Sequence, residues 1–232
     1  MNISAQTTRT IVIIIAVMQV LVAAFLEPEY TVVLFPVFVG FLVLYYYKET
    51  GVFYMHFLVY LLLNMIAEIA YIYDFVTYFK LAVITTFFAE LLLIYMLKPY
   101  LRFNFKKISK HNIIELIIGF VGIGALVIYM LFIIIPKLPN VLIFMPTIIS
   151  FTLLCLLCFG IPMLNKHPKH IYLWAVGSLF IGELFMAFIY EYIQRDTLFL
   201  ILAFVLGSSL KITLAIYFAN MATQEDVDED YI

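Results

Sequence analysis

Residues 10 to 26, TIVIIIAVMQVLVAAFL, contain no charged side chain. A helix needs about 20 such residues to cross a hydrocarbon core of roughly 30 Å, and runs approaching or reaching that length recur along the whole sequence. Composition follows from them: 66% of residues are hydrophobic, 12% are charged and the mean hydropathy is +1.12. Those values lie outside the range of soluble globular domains. The chain therefore reads as an integral membrane protein, all-α, with no water-soluble domain.

The apolar runs predict eight transmembrane helices, at 9–26, 30–47, 52–73, 76–97, 113–135, 140–164, 171–193 and 197–222, within a single membrane domain covering 1–232. Most connections are short: EPE after the first span, KETG after the second and PKLP after the fifth. Successive helices should therefore be antiparallel neighbours in a polytopic bundle. The exception is KPYLRFNFKKISKHN, residues 98–112, a basic linker that separates two sets of four spans. The first span is expected to be retained. MNISAQTTRT carries only Arg9, and no small-residue cleavage site follows the apolar run.

Lys and Arg predict the orientation. The side shared with the N-terminus carries Arg9, Lys48, Lys98, Arg102, Lys106, Lys107, Lys110, Lys166 and Lys169, whereas the other carries Lys137 and Arg195. Both termini are expected to be cytoplasmic, including the acidic tail at 223–232; in a bacterium the membrane would be the inner one. The basic linker is explained by this orientation together with attraction to anionic lipid. Tyr45 to Tyr47 on the inner side, and Tyr71, Tyr73 and Tyr78 on the outer, fit interfacial aromatic belts.

Two spans share a further pattern. TVVLFPVFVGFL in the second and NVLIFMPTIISF in the sixth each place a proline after an apolar lead-in. The third and seventh spans then carry Glu68 and Glu183, and the fourth and eighth carry Glu90 and Lys211. This pattern would follow from two parallel four-helix repeats. Proline-bearing spans are common in membranes, which is the simpler explanation.

Five ionisable groups fall well inside the predicted spans: Glu68, Lys80, Glu90, Glu183 and Lys211. Each costs roughly 2.5 to 3.5 kcal/mol near a bilayer centre, so such groups face the bundle interior and find partners. Depth along the helices pairs Glu68 with Lys80 near the outer side, and Glu183 with Lys211 near the midplane. Asn64 lies on the face of Glu68, one turn deeper. Ion pairs of this kind could simply staple helices together. Alternatively, three carboxyls and an asparagine on three helices could line one chamber and divide acid and base roles among them.

Other residue types offer less. Cys155 and Cys158 share a helix face, but a zinc site wants about four nitrogen or sulfur ligands and no further donor joins them inside the membrane. They are read as small apolar residues, and no metal or other cofactor is expected. His56, His167 and His170 are read as solvated residues near span ends. No phosphate-binding glycine loop, serine-nucleophile elbow or HExxH pattern occurs, and nothing points to nucleic acid.

The layout and several local patterns resemble the YhhN-like lysoplasmalogenase family of eight-span membrane proteins. The third-span pattern of a small residue followed by an acid is matched by MIAEIAYI, with Ala67 and Glu68. The fourth-span position is TFFAELLLIYM, with Glu90, and the seventh-span glycine and acid are matched by GSLFIGELFMA, with Gly182 and Glu183. The proline helix VLIFMPTIISF precedes it, as in the family. The family's aspartates are glutamates here, its histidine is Glu90, and SSLKITLAIYF introduces Lys211 in the eighth span. A side chain one methylene longer still delivers a carboxyl, though catalysis is sensitive to about 1 Å of placement.

The resemblance implies a hydrolase that cleaves the vinyl ether of lysoplasmalogen-type lipids, with Glu68, Glu183 and Glu90 as catalytic candidates. Asn64, Lys80 and Lys211 are the candidates for contacting substrate. It implies membrane lipid and a lysophospholipid substrate as partners. Two other classes would use the same buried charges: a small proton-coupled transporter, and a non-catalytic membrane subunit of a larger complex with protein partners of its own.

Overall fold

A computed structural model describes residues 4–101, 110–165 and 168–224. Most of the basic linker, Lys166 and His167, and the acidic tail from residue 225 onward lie outside the described residues. Every long element is a helix: α1 Ala5–Phe25, α2 Leu34–Thr50, α3 Met55–Asp74, α4 Phe79–Leu97, α5 Lys110–Ile134, α6 Val141–Leu164, α7 Ile171–Tyr192 and α8 Thr197–Gln224. Seven of these, all except α5, are long and apolar enough to cross a membrane, three of them with adjoining 3-10 turns. The chain is thus an integral, multi-pass helical membrane protein. α5 coincides with the predicted fifth span, but several of its side chains lie outside the described set.

Local chemistry sets the helix ends. Ser4 caps α1 by accepting from the Thr7 amide at 3.1 Å, and Asn140 caps α6 by accepting from the Ile143 amide at 3.2 Å. Such caps satisfy amides that the first turn leaves without partners. α2 stops at Gly51, whose φ of 71° lies in the left-handed region that glycine enters without steric cost. Asp74 and Asp196 accept from backbone amides in the turns after α3 and before α8. Pro36 is tolerated in the first turn of α2, where it removes no helical hydrogen bond.

The helices gather into two compact units, Met1–Leu61 with Ser178–Ile232, and Leu62–Gly177. These are not the two sequential sets of four spans on either side of the basic linker; the boundaries fall within α3 and α7.

In the first unit α1, α2 and α8 pack against one another. α1 contributes the stripe Thr8, Val12, Ile15, Ala16, Gln19 and Ala23, at the three- and four-residue spacing of one helix face. Facing positions include Leu42 of α2 and Leu210, Leu214 and Tyr217 of α8, all buried. At the end of the unit near Gly51, Phe57 meets Tyr46 at 5.5 Å and Phe218 at 5.9 Å between ring centroids. This packing changes the aromatic-belt expectation: Tyr45 and Tyr46 are buried, and of the predicted inner group only Tyr47 is exposed. Consecutive residues on a helix diverge by about 100°, so three tyrosines in a row cannot all face the interface. On the outer side Tyr73 and Tyr78 are exposed and Tyr71 is half-buried.

In the second unit α6 packs against both α4 and α5. Val83, Ala89 and Leu93 of α4, with Phe151, Leu154 and Ile161 of α6, are buried. Cys155 and Cys158 are buried free thiols on α6. Gly177 admits α6 closely: a Cβ there would lie 2.9 Å from the ring of Phe159 and 3.0 Å from Cys158 Cβ. His170 departs from the solvated reading. It is 1% exposed, in the 3-10 turn Pro168–His170 that starts α7, with its ring 6.1 Å from that of Tyr100. The turn carries it inward, beneath the residues that follow α4.

Candidate functional site

Polar side chains inside the apolar helices gather at two loci, one in each unit. In the second unit Glu90 sits at the middle of α4 and is 2% exposed. The hydroxyl of Ser150, from α6, donates to its carboxyl and also to the Thr147 carbonyl at 3.0 Å. Thr147 in turn donates to the Val83 carbonyl of α4 at 3.2 Å. Glu90 thus belongs to a seam of hydroxyl contacts between α4 and α6, and it has no ion pair among the described residues. A buried carboxylate is costly unless it is hydrogen-bonded or paired, and Ser150 meets part of that requirement.

Glu68 lies in the same unit on α3, half-buried, with Asn64 one turn before it and also half-buried. Lys80 is exposed in the first turn of α4.

In the first unit Glu183 and Lys211 converge on one residue. Gly207 of α8 is buried, and a Cβ added to it would fall on Glu183 Oε1 and 2.8 Å from Glu183 Cδ. The carboxyl of α7 therefore occupies space that only glycine leaves open. One turn further along α8, Lys211 is 4% exposed and its Nζ donates to the Gly207 carbonyl at 3.3 Å. An acid and an ammonium thus both approach Gly207, the first on its Cβ side and the second at its carbonyl. Glu183 itself is half-buried.

Next to Gly207, Ser208 donates to Gln19 Oε1 of α1 at 3.4 Å. Gln19 is 1% exposed, and its Nε2 has no hydrogen-bond partner among the described residues. A buried donor left in this condition costs about 1 to 3 kcal/mol.

Sequence reasoning missed Ser150, Gly207, Ser208 and Gln19. An isolated serine or glycine in an apolar helix carries no signal, because serine hydroxyls commonly bond to their own helix and small residues are frequent in membrane helices. Gln19 did carry one: it is the single amide in the uncharged run from 10 to 26. No metal-binding group of three or more His, Cys, Asp or Glu residues occurs among the described residues. Comparison with known proteins finds no matching family model, no matching curated protein and no matching solved structure.

Proposed function

We propose that this chain is a membrane-embedded hydrolase of the lysoplasmalogenase kind, acting on the vinyl ether of a lysophospholipid through carboxylic-acid catalysis. It crosses the membrane eight times, α5 included, with both termini on the cytoplasmic side. The single observation that carries the reading is the seat of Glu183: a half-buried carboxyl inside an apolar bundle, set into the gap at Gly207 with Lys211 at the same backbone position.

Vinyl ether hydrolysis begins when an acid protonates the alkene carbon. The resulting oxocarbenium centre is captured by water, and the hemiacetal collapses to an aldehyde and the glycerol hydroxyl of the headgroup lipid. One carboxyl must deliver the proton, and a carboxylate must offset the positive charge and activate water. Glu183 in the first unit and Glu68 in the second, both half-buried and so within reach of a lipid, are separate candidates for the acid. Glu90 is the third catalytic candidate, held by Ser150. Asn64, Lys80 and Lys211 are proposed to contact the polar part of the substrate.

Purified protein in lipid, given lysoplasmalogen and its saturated ether analogue, should release aldehyde from the first alone. Release from neither, by folded reconstituted protein, removes the proposal.

The juxtaposition of Glu183 and Lys211 also supports a second reading, a proton-coupled transporter in which this pair relays the proton. That reading predicts proton-coupled flux in proteoliposomes without consumption of lipid. A subunit role would instead appear as stoichiometric partners retained through mild detergent purification.

A further inference from the structure

Two close oxygen contacts in the second unit meet at Ser150 Oγ. One is with Glu90 Oε2 of α4, and the other, of 3.0 Å, is with the Thr147 carbonyl one turn earlier on α6. Both lie within hydrogen-bonding distance, which two oxygens adopt when a proton sits between them. The carbonyl has no proton to give, and a serine hydroxyl has one, so Ser150 cannot donate fully to both. The Thr147 hydroxyl does not supply the second, since it donates to the Val83 carbonyl at 3.2 Å. A carboxylate at position 90 would leave one of the two contacts without its proton, whereas a neutral carboxylic acid carries the missing one.

The surroundings of Glu90 offer nothing to hold a negative charge. Glu90 is 2% exposed and Ser150 1% exposed. Among the described residues Glu90 has no cationic partner and no hydrogen bond besides the one with Ser150. From α6 the titratable group within electrostatic reach is Cys155, a buried free thiol that brings no positive charge. A carboxyl enclosed by apolar helices without a cation is far less costly neutral than ionised.

We propose that Glu90 is a proton-binding site at the seam of α4 and α6. As a neutral acid its O–H donates to Ser150 Oγ, and Ser150 donates to the Thr147 carbonyl. Three oxygens then form one directed chain from α4 into α6, and the bound proton is the link between the helices. When it leaves, Ser150 again has two acceptors and one proton, and the chain loses a link. The site goes beyond the hydrolase reading and requires neither lipid nor catalysis.

The test is infrared spectroscopy of the full chain at neutral pH, in bilayers of ether-linked lipid that contribute no ester carbonyl. A protonated carboxyl has a carbonyl stretch that a carboxylate lacks. The parent should show such a band, and Glu90→Gln should lose it, as should Glu90→Leu if the glutamine variant folds poorly. Ser150→Ala, or Ser150→Cys if alanine folds poorly, should keep the band and shift its frequency, because the acid loses its acceptor. Protonated-carboxyl bands that neither substitution at Glu90 diminishes overturn the proposal. So does a band that belongs to Glu90 but stays at its frequency when Ser150 is replaced, since the proton is then not given to the serine. No outcome depends on aldehyde release, so failure here and failure of the enzymatic reading are separate results.

Discussion

Replacing Gly207 by alanine adds one methyl group where α8 meets the Glu183 carboxyl. The new Cβ would stand 2.8 Å from Glu183 Cδ, whereas carbon atoms in contact prefer about 3.5 to 4.0 Å. The carboxyl must retreat by about 1 Å. It is the far end of a flexible side chain, so the side chain can move while the helices stay in place. Forcing it off its rotamer costs about 0.5 to 1.5 kcal/mol, and alanine in a helix interior returns about 0.8 to 1.0 kcal/mol relative to glycine. The net change in stability should therefore be within about 1 kcal/mol. In a Glu183→Ala background the obstacle is gone and the helix term alone remains, so the same Gly207→Ala change should stabilise by about 1 kcal/mol. The double-mutant cycle should then show coupling of about 0.5 to 1.5 kcal/mol. Reversible unfolding in mixed micelles, with helicity followed as denaturing detergent is added, gives all four corners. Additivity would refute the reasoning, and so would an equally large loss in both backgrounds, which would mean that backbone and not the Glu183 side chain fills the space.

Further expectations follow from the same contacts. Ser150→Ala should cost about 1 to 3 kcal/mol, because it strips Glu90 of its hydroxyl partner, while adding Glu90→Leu should recover most of that loss; the same unfolding assay checks both. Gly177→Ala should destabilise by about 1 to 3 kcal/mol, since the added methyl meets the Phe159 ring and Cys158 Cβ and not a mobile chain end. Topology is checked by cysteines introduced in the turns at 51–53 and 138–140: membrane-impermeant labelling of intact cells should reach only the second. Labelling of the first alone would invert the orientation.

Helix positions were legible because a bilayer demands long apolar runs, although α1 starts at Ala5 against a predicted 9 and α2 at Leu34 against a predicted 30. The third predicted span, 52–73, and the helix Met55–Asp74 differ by three residues at the start, where Gly51 and the turn after it delay the helix. The seventh, 171–193, ends within one residue of the helix Ile171–Tyr192. Which residues meet across helices was far less legible. Depth along the helices placed Glu183 and Lys211 at one level, and both approach Gly207. The contact of Glu90 with Ser150 could not be read, because serine is unremarkable in a membrane helix and its direction depends on how α4 meets α6. Gly207 was invisible for the opposite reason: its contribution is a missing side chain, which has meaning only once Glu183 is seen filling the space. Similarly, the inward turn of His170 is set by the 3-10 geometry before α7, and its neighbours in sequence, Pro168 and Lys169, look like an ordinary solvated loop.

The central claim is that the intramembrane carboxyls perform chemistry in addition to holding helices together. Its most direct test measures aldehyde release from lysoplasmalogen and unfolding stability on the same reconstituted preparations of Glu68→Gln, Glu90→Gln and Glu183→Gln. The account predicts that Glu183→Gln or Glu68→Gln abolishes release, by about a hundredfold or more as expected for a lost general acid, while its stability stays within about 1 kcal/mol of the parent. Activity that falls only in proportion to stability, or a parent protein that releases no aldehyde, would contradict it.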